Sequence, residues 1–355
     1  MDERNRKPAL SGAADSNTDA ADFDQAQRLL AQLRALLAGV IVGQDELIAQ
    51  LVTAVFAGGH VLIEGLPGLG KTHLAKALAA ALGLRWARVQ CTPDLMPADV
   101  TGSEVYLTAA GGASRFEFRP GPVFAQLVLV DEINRATPRT QAALLEAMQE
   151  RQVTQAGVSH RLPAPFIVLA TQNPIELEGT FPLPEAQLDR FMFKLRVPFP
   201  DRATLRALLD VSLDAEPADT LAGVATPEDV LRIGALARRV LLGERCKEAA
   251  VDLVAATQPA ADDTDHTDRG DETDGGGARR HIRYGASPRA LQALVRAARV
   301  RALMAGRAHV DLADLDAVAL PVLRHRVLLR LASELDGLDA DQALAAVLAA
   351  WRGRH

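Results

Sequence analysis

The amino-acid sequence predicts an α/β protein in which helices cover a parallel sheet and a smaller helical domain follows. Three patterns in the 355 residues support this class. A short apolar run at residues 60–64 leads through a glycine-rich turn into helical periodicity. Two further apolar runs, at 126–130 and 166–170, end in polar residues, as buried parallel strands do when they reach a sheet edge. Beyond Pro200 the remaining pattern is helical.

Composition divides the chain into regions. Residues 1–22 are polar and lack periodicity, which predicts a disordered tail. Residues 23–199 form the predicted α/β core, and residues 200–355 form the predicted helical domain. Within that domain, residues 258–277 are rich in Asp, Thr and Gly and predict an acidic disordered insertion. The insertion is either a solvated loop or a segment that binds a partner, and the sequence leaves both interpretations open.

Charge and cysteine content argue against several protein classes. The formal net charge is −6, so no overall basic surface for nucleic acid is expected. Cys91 and Cys246 are far apart, match no zinc-site spacing, and are expected to be free thiols in a reducing compartment. No apolar run approaches the length of a membrane span. The start of the chain lacks the apolar segment of a signal peptide, so a cytoplasmic protein is expected.

The glycine-rich turn matches the pattern of a phosphate-binding P-loop. Its members are Gly65, Leu66, Pro67, Gly68, Leu69, Gly70, Lys71 and Thr72. The glycines let the backbone bend so that successive N–H groups point at an anion. Lys71 is the candidate for contacting the β- and γ-phosphates, and the Thr72 hydroxyl is a candidate Mg²⁺ ligand. A chance glycine-rich turn is the alternative, but the strand before the turn and the helix after it favour nucleotide binding.

Two carboxylates, Asp131 and Glu132, follow the second apolar run. In doubly wound folds, ligands bind at the carboxyl edge of the parallel strands, where this run delivers its acids. We expect Asp131 to hold Mg²⁺ through water and Glu132 to act as the general base for an attacking water. A strand followed by a solvated acidic turn is the alternative, which the P-loop upstream disfavours.

Four further positions are weaker candidates. Asn173 follows the third apolar run, where its amide either orients water against the γ-phosphate or belongs to a plain turn. Val42 and Gly43 lie just before the first strand and form either a wall of an adenine pocket or a link between helices. Arg289 falls in the first turn of a helix capped by Ser287, where a cation opposes the helix dipole. That penalty points to a phosphate contact, with an exposed arginine as the alternative.

Five motifs together resemble the MoxR family of AAA+ ATPases and occur in that family's order over roughly residues 40–335. They are Gly65–Thr72, Leu129–Ala136, Ala170–Pro174, Glu185–Phe191 and Gly285–Arg289. The resemblance implies an AAA+ P-loop NTPase core of αβα layers, a smaller α-helical lid, and a ring, commonly a hexamer, with ATP between subunits. It also implies chaperone-like remodelling or maturation of protein complexes, often with partners that carry a von Willebrand factor A domain.

The resemblance further implies roles for single residues. Asn173 is similar to the sensor-1 residue and Arg289 to the sensor-2 arginine. Arg190 resembles the arginine finger that one subunit offers to the ATP of its neighbour. Arg135 is a second, weaker candidate for that role, and the sequence leaves the choice between the two open.

Two segments resemble insertions of the same family. Residues 91–122 look like its helix-2 insert, and residues 151–163 look like its pre-sensor hairpin. The sequence departs from the family by its polar N-terminal tail and by the acidic insertion at 258–277, which falls inside the lid.

The predicted activity is hydrolysis of ATP with Mg²⁺. The candidate catalytic residues are Lys71, Glu132, Asn173, Arg190 and Arg289. Two rival interpretations stay open: a nucleotide-gated scaffold with little turnover, and an AAA+ ATPase that acts on nucleic acid. A GTPase is disfavoured because the sequence has no Asn-Lys-x-Asp segment to recognise guanine.

Overall fold

A computed structural model of the chain describes residues 12–66, 68–108, 114–174, 179–210, 221, 223–259 and 276–355. Its strands are β1 (Val61–Glu64), β2 (Trp86–Gln90), β3 (Gly102–Thr108), β4 (Ser114–Pro120), β5 (Leu127–Asp131), β6 (Gln152–Gln155), β7 (Val158–Arg161), β8 (Ile167–Gln172), β9 (Phe193–Arg196), β10 (Ile282–Tyr284) and β11 (Leu328–Leu329). The core helices are α1 (Gly12–Val40), α2 (Asp45–Phe56), α3 (Lys71–Ala81), α4 (Pro97–Thr101), α5 (Pro138–Glu150) and α6 (Glu185–Leu188). The later helices are α7 (Arg202–Asp210), α8 (Pro227–Ala237), α9 (Glu244–Ala256), α10 (Gly276–Arg279), α11 (Pro288–Met304), α12 (Leu312–Leu323), α13 (Leu331–Leu335) and α14 (Ala340–Arg354).

The main sheet has five strands in the order β2-β5-β8-β1-β9. Each neighbouring pair in it is parallel, so the predicted parallel sheet is confirmed. Because parallel strands share one direction, the residues after β1, β5 and β8 all emerge at the same edge. That edge holds the P-loop, the two carboxylates and Asn173.

The sheet is the middle of three layers. Successive side chains of a strand point to opposite faces, so each strand feeds two cores. Ile63 and Leu129 are buried in the larger core with α1, α2, α3 and the helices beyond residue 225. Leu62 and Val128 are buried in the smaller core with Leu145 of α5. The predicted combination of an αβα core and a helical lid is confirmed.

Two antiparallel hairpins project from the core. β3 pairs with β4 inside the segment 91–122, which the sequence predicted to be an insertion. β6 pairs with β7 within residues 151–163, the segment that resembles the pre-sensor hairpin. The rings of Phe118 and His160 stack with their centroids 4.0 Å apart, so the two hairpins pack against each other.

The helical domain is built on well-capped helices. Thr226 accepts a hydrogen bond from the Asp229 backbone, and the Asp229 side chain returns to the Thr226 backbone at the start of α8. Arg307 holds Asp314, in the first turn of α12, through two nitrogens at 2.6 and 2.8 Å. Among the described residues, no helix combines the length and apolar character needed to cross a membrane.

The structure corrects the predicted N-terminal tail. Helix α1 begins at Gly12, so residues 12–22, which were assigned to a disordered tail, are helical. The physical reason is that the buried side chains of Leu30, Leu33 and Leu37 anchor the helix, so residues 12–22 extend a helix that has already formed and do not have to nucleate one. Residues 1–11 and 260–275, the latter the body of the predicted insertion, lie outside the described residues.

Candidate nucleotide site

The P-loop connects the end of β1 to the start of α3, as the sequence predicted. Gly68 and Gly70 have φ angles of +80° and +76°, a left-handed conformation that costs a residue with a Cβ about 1–2 kcal/mol. An added Cβ at either glycine would meet nothing within 4 Å, so the backbone angle, not space, requires glycine there. Leu66 and Leu69 lie in the same turn, and Pro67 lies outside the described residues.

Gly65 and Lys71 close the loop from its two ends. A Cβ on Gly65 would lie 2.9 Å from Cβ of Val197, so close packing requires glycine here. Lys71 Nζ donates to the Gly65 carbonyl at 2.6 Å. Burial lowers the pKa of Lys71, and the nearby carboxylates Asp131 and Glu132 oppose that shift. The ammonium group therefore sits at the mouth of the loop, beside the two acids.

Asp131 is buried at the end of β5 and has three polar neighbours. Thr72 Oγ1 lies 3.5 Å from its Oδ2, and Thr171 Oγ1 donates to its Oδ1 at 3.2 Å. Arg88 Nε forms an ion pair with Oδ2 at 2.7 Å. A hydroxyl beside a carboxylate suits Mg²⁺, which uses one or two protein oxygens and fills its shell with water and phosphate. No group of three His, Cys, Asp or Glu side chains that could hold a metal occurs in the described part of the chain.

Glu132 has an unusual backbone. Its φ and ψ angles are 56° and 51°, the left-handed region that non-glycine residues rarely adopt. Its N–H donates to Thr171 Oγ1 at 2.9 Å, and Gln90 Nε2 and Arg135 each donate to its Oε2, at 3.0 and 3.1 Å. Strained residues that the surroundings hold in place cluster at functional sites. These contacts therefore hold the Glu132 carboxylate in a fixed orientation, which a solvated acidic turn would not do.

Asn173 lies at the same edge of the sheet. It is buried directly after β8, and the carbonyl of its neighbour Gln172 accepts a hydrogen bond from Gly65 N at 3.3 Å. The P-loop, the two carboxylates and this amide are therefore brought together, as the order of the strands requires.

A cavity of about 590 Å³ opens beside the P-loop. Gly43, Leu47 and Leu66 line one side of it, and Arg324 and Asp341 from the helical domain line the other. Gly43 has a φ angle of +73°, and an added Cβ would lie 2.5 Å from Thr204 Oγ1. Val42 precedes this turn and is partly buried.

An ion-pair cluster joins the core to the helical domain at the rim of this cavity. Arg196 of β9 contacts Glu64, Asp339 and Asp341 at 3.4, 3.1 and 2.9 Å. Arg324 contacts Asp341 at 3.2 Å. The cluster begins at Glu64, directly before the P-loop, so the helical domain is held against the loop.

Arg190 and Arg289 are not part of this arrangement. They line a second cavity, of about 430 Å³, with Gly58, Gly59 and His60 at the amino end of β1. The P-loop follows the carboxyl end of that strand, about 13 Å away at roughly 3.3 Å per residue. Neither arginine therefore lies at the P-loop of its own chain. For Arg190 this agrees with the expectation that it acts on the ATP of a neighbouring subunit, and for Arg289 the sequence did not specify which subunit's phosphate it contacts.

This second cavity is strongly basic. Among the described residues, its lining includes five arginines and a single acidic side chain, Asp189. The arginines are Arg151, Arg190, Arg289, Arg296 and Arg326. The cavity is therefore suited to an anion.

His60, at the amino end of β1, contacts both β8 and α5. Its Nδ1 accepts a hydrogen bond from Val168 N at 3.0 Å, and its Nε2 lies 3.3 Å from the Met148 carbonyl. Burial lowers the pKa of His60 to about 4, helped by the charge of Arg151. The neutral imidazole therefore bridges two segments of the smaller core.

Sequence reasoning missed Arg88, Gln90 and Thr171. Arg88 and Gln90 lie on β2, which pairs with β5 and places Gln90 opposite Asp131. The alternation of polar side chains along β2 was the available signal, but it could not show which strand lies alongside. Thr171 ends the third apolar run, and a hydroxyl at that sheet edge was a detectable candidate.

Comparisons of the sequence and of the structure with known proteins all match AAA-type ATPases or proteins of the same overall fold. A family model for the ATPase family associated with various cellular activities (AAA) matches residues 60–193, and a model for the AAA lid domain matches residues 277–346. The chain is 39% identical over 313 residues to the uncharacterized protein YeaC of Bacillus subtilis, covering 88% of this chain and 90% of that protein. It is 37% identical over 309 residues to Chaperone MoxR1 of Mycobacterium tuberculosis, covering 87% and 78%. A crystal structure of a candidate ATPase from Cytophaga hutchinsonii superimposes with a TM-score of 0.83 at 34% identity, covering 95% of this chain and 98% of the other.

Proposed function

Since the chain belongs to the MoxR family of AAA+ ATPases, we propose that it hydrolyses ATP and couples hydrolysis to the remodelling or maturation of partner protein complexes. One observation carries the proposal of turnover. Asp131 and Glu132 stand beside the P-loop, and Glu132 is held in a strained conformation by Thr171 and its side-chain partners. A scaffold that only bound nucleotide would not need an aimed carboxylate there.

In this proposal, different residues bind the phosphates, the base and the metal ion of MgATP. The P-loop amides and Lys71 take the phosphates, at the N-terminus of α3 where the helix dipole favours negative charge. The cavity beside Gly43 and Leu66 has the position and size for the base. Thr72 and Asp131 are the residues that fit Mg²⁺, which neutralises charge on the phosphates when bound.

Glu132 is the proposed general base. Gln90 and Arg135 both bind its Oε2, which leaves its other carboxylate oxygen to accept a proton from water. Asn173 is the proposed partner that orients this water. Arg135 pairs with Glu132 of its own subunit, which favours Arg190 over Arg135 as the residue offered to a neighbour.

The placement of the arginines supports the proposal of a ring. The P-loop and the basic cavity lie at opposite ends of the sheet, so a head-to-tail contact brings the cavity of one subunit to the nucleotide of the next. Heterologous contacts form a closed ring when the rotation between successive subunits closes, and a hexamer is the proposed form. In this assembly Arg190 and Arg289 both act on the neighbouring subunit's ATP, where an arginine in trans is worth about 10³–10⁵ in rate.

Chaperone MoxR1 carries the word chaperone in its name, and that supports a remodelling role for this chain. We propose a protein with a von Willebrand factor A domain as a partner, on the family resemblance alone.

The test compares the rate of ATP hydrolysis by Glu132→Gln with that of the unmodified protein. The amide keeps the size of the carboxylate but cannot take a proton, so we expect ATP to bind as before while hydrolysis falls at least 10²-fold. Glu146→Gln, on the exposed side of α5, is the matched control and should turn over normally. Equal rates for Glu132→Gln and the unmodified protein would overturn the proposed base.

The same variant serves to identify partners. Because it should hold ATP without hydrolysing it, complexes that depend on the ATP state should accumulate on it. Recovery of nucleic acid and no protein in such a pull-down would contradict the remodelling role.

A further inference from the structure

The strongest unassigned feature is Arg326, just after the end of α12. It is 9% exposed, and its guanidinium reaches across to the segment that leads into β9. Its Nε pairs with Asp189 Oδ1 at 2.7 Å. Its terminal nitrogens donate to the carbonyls of Asp189, Phe191 and Met192 at 3.1, 2.6 and 3.1 Å.

These bonds enclose one particular residue. Arg190 lies between the residues whose carbonyls Arg326 holds, so its backbone position depends on a side chain of the lid. The neighbouring His325 adds to the clamp, because its Nε2 donates to the same Phe191 carbonyl at 3.0 Å. Burial lowers the pKa of His325 well below 6.5, so the imidazole stays neutral and adds no second positive charge to the clamp.

Asp189 also contacts a second part of the lid. Ser287, the cap of α11, donates its hydroxyl to Asp189 Oδ2 at 3.0 Å. Arg289 NH1 lies 3.8 Å from the same oxygen. Two separate parts of the lid, the start of α11 and the end of α12, therefore meet on one core carboxylate next to Arg190.

Within the described part of the chain, the side chain of Arg190 makes one hydrogen bond outside this segment. Its NH1 donates to the Leu145 carbonyl at 2.6 Å. Its Nε is buried and has no hydrogen-bond partner among the described residues. The direction of the guanidinium therefore depends on how the backbone from 189 to 192 is held.

Burying Arg326 is costly unless its charge and donors are satisfied. Burial lowers its pKa, and the hydrogen bond and ion pair with Asp189 oppose that shift. Packing alone would be served as well by an apolar side chain of similar size. A planar guanidinium is the group that can hold several carbonyls and a carboxylate at once.

We propose that Arg326 is a positioning residue, which together with Asp189 sets Arg190 for action on the ATP of the neighbouring subunit and makes that action depend on the position of the lid. The inference rests on the proposed function, in which Arg190 acts in trans. It adds that a lid movement in one subunit changes hydrolysis in the next, because the clamp and the lid helices move together.

The test uses Arg326→Met in the full-length chain. A displacement of about 1 Å at a catalytic group can cost 10²-fold in rate, so we expect kcat to fall by about that factor. The affinity for ATP should change less than about twofold, because the variant's own P-loop lies at the other end of β1. Arg326→Lys keeps the positive charge but lacks the planar guanidinium, so it should recover part of the rate. Arg352→Met, which removes an exposed ion pair with Asp316, is the matched control.

Mixed rings separate positioning from general damage. Arg326→Met subunits keep an intact Glu132, while Glu132→Gln subunits keep a well-placed Arg190. If Arg326 acts through Arg190 in trans, mixing the two inactive variants should restore turnover at least 10-fold above the sum of the separate rates. A parallel mixture of Arg190→Ala with Glu132→Gln tests the trans arginine by itself.

The outcomes are distinguishable. Recovery in both mixtures supports the inference. Recovery with Arg190→Ala but not with Arg326→Met overturns the inference and leaves the proposed function intact. No recovery in either mixture overturns the trans arginine and the inference with it. If Arg326→Met fails to fold, Asp189→Asn breaks the same clamp from the core side while keeping its shape, and is judged by the same mixtures.

Discussion

The stability of the protein should depend on pH through His60. This residue lies between the sheet and α5, with Nδ1 bonded to the Val168 N–H and Nε2 directed at the Met148 carbonyl. Protonation would place a hydrogen on Nδ1, where the Val168 N–H already points. Arg151 adds electrostatic repulsion to that steric and hydrogen-bonding conflict. The folded protein therefore resists protonation of this imidazole.

The size of the effect follows from the two pKa values. Burial lowers the folded pKa of His60 to about 4, against an ordinary value of 6.5. As the pH falls below 6.5 the unfolded chain takes up a proton that the folded chain does not, so stability is lost on acidification. The loss is about 2 kcal/mol between pH 7 and pH 5 and approaches about 3 kcal/mol near pH 4.

The assay compares the unmodified protein with His60→Asn. The asparagine Oδ1 can still accept from the Val168 N–H, but the side chain does not titrate in this range. Denaturant unfolding of both proteins at a series of pH values, without nucleotide and at constant salt, gives two curves of the free energy of unfolding. We expect the unmodified protein to lose about 2 kcal/mol more than the variant between pH 7 and pH 5. Parallel curves over that range would refute the assigned protonation state of His60.

Two further outcomes are expected. Gly43→Ala should lower stability by at least about 1 kcal/mol and weaken ATP binding, because the left-handed φ and the contact with Thr204 both oppose a Cβ. Gly39→Ala, in α1 with nothing within 4 Å of the new Cβ, should be neutral or slightly stabilising, and equal losses in melting temperature for the two variants would contradict this reasoning. Cys91 is buried, and burial, with the nearby carboxylates, raises its pKa to about 12. It should therefore react with a thiol reagent at pH 8 only after unfolding, and rapid labelling of the native protein would count against the described burial.

The local parts of the site could be predicted from the sequence. The P-loop is eight consecutive residues, and its strand and helix follow from adjacent periodicity. Asp131 and Glu132 could be assigned because an apolar strand ends directly before them. Each of these features depends on interactions close along the chain, where backbone preferences and side-chain spacing decide the structure. The family and the fold class are confirmed. The roles of single residues and the boundary between the core and the lid stay predictions, while the predicted tail is corrected for residues 12–22.

The tertiary structure decided what lies next to what. Arg88 reaches Asp131 because β2 lies beside β5, and Arg326 reaches Asp189 although 137 positions separate them. The tertiary structure also brings Arg190 and Arg289 to the end of the sheet opposite the P-loop. Strand order and lid docking depend on burying many apolar side chains that are distant in sequence. A short sequence motif therefore cannot predict them. The sequence by itself determined which residues follow the strands at the carboxyl edge of the sheet. The parallel pairing of β9 with β1 placed Arg190 at the opposite end, and the packing of the lid brought Arg289 there.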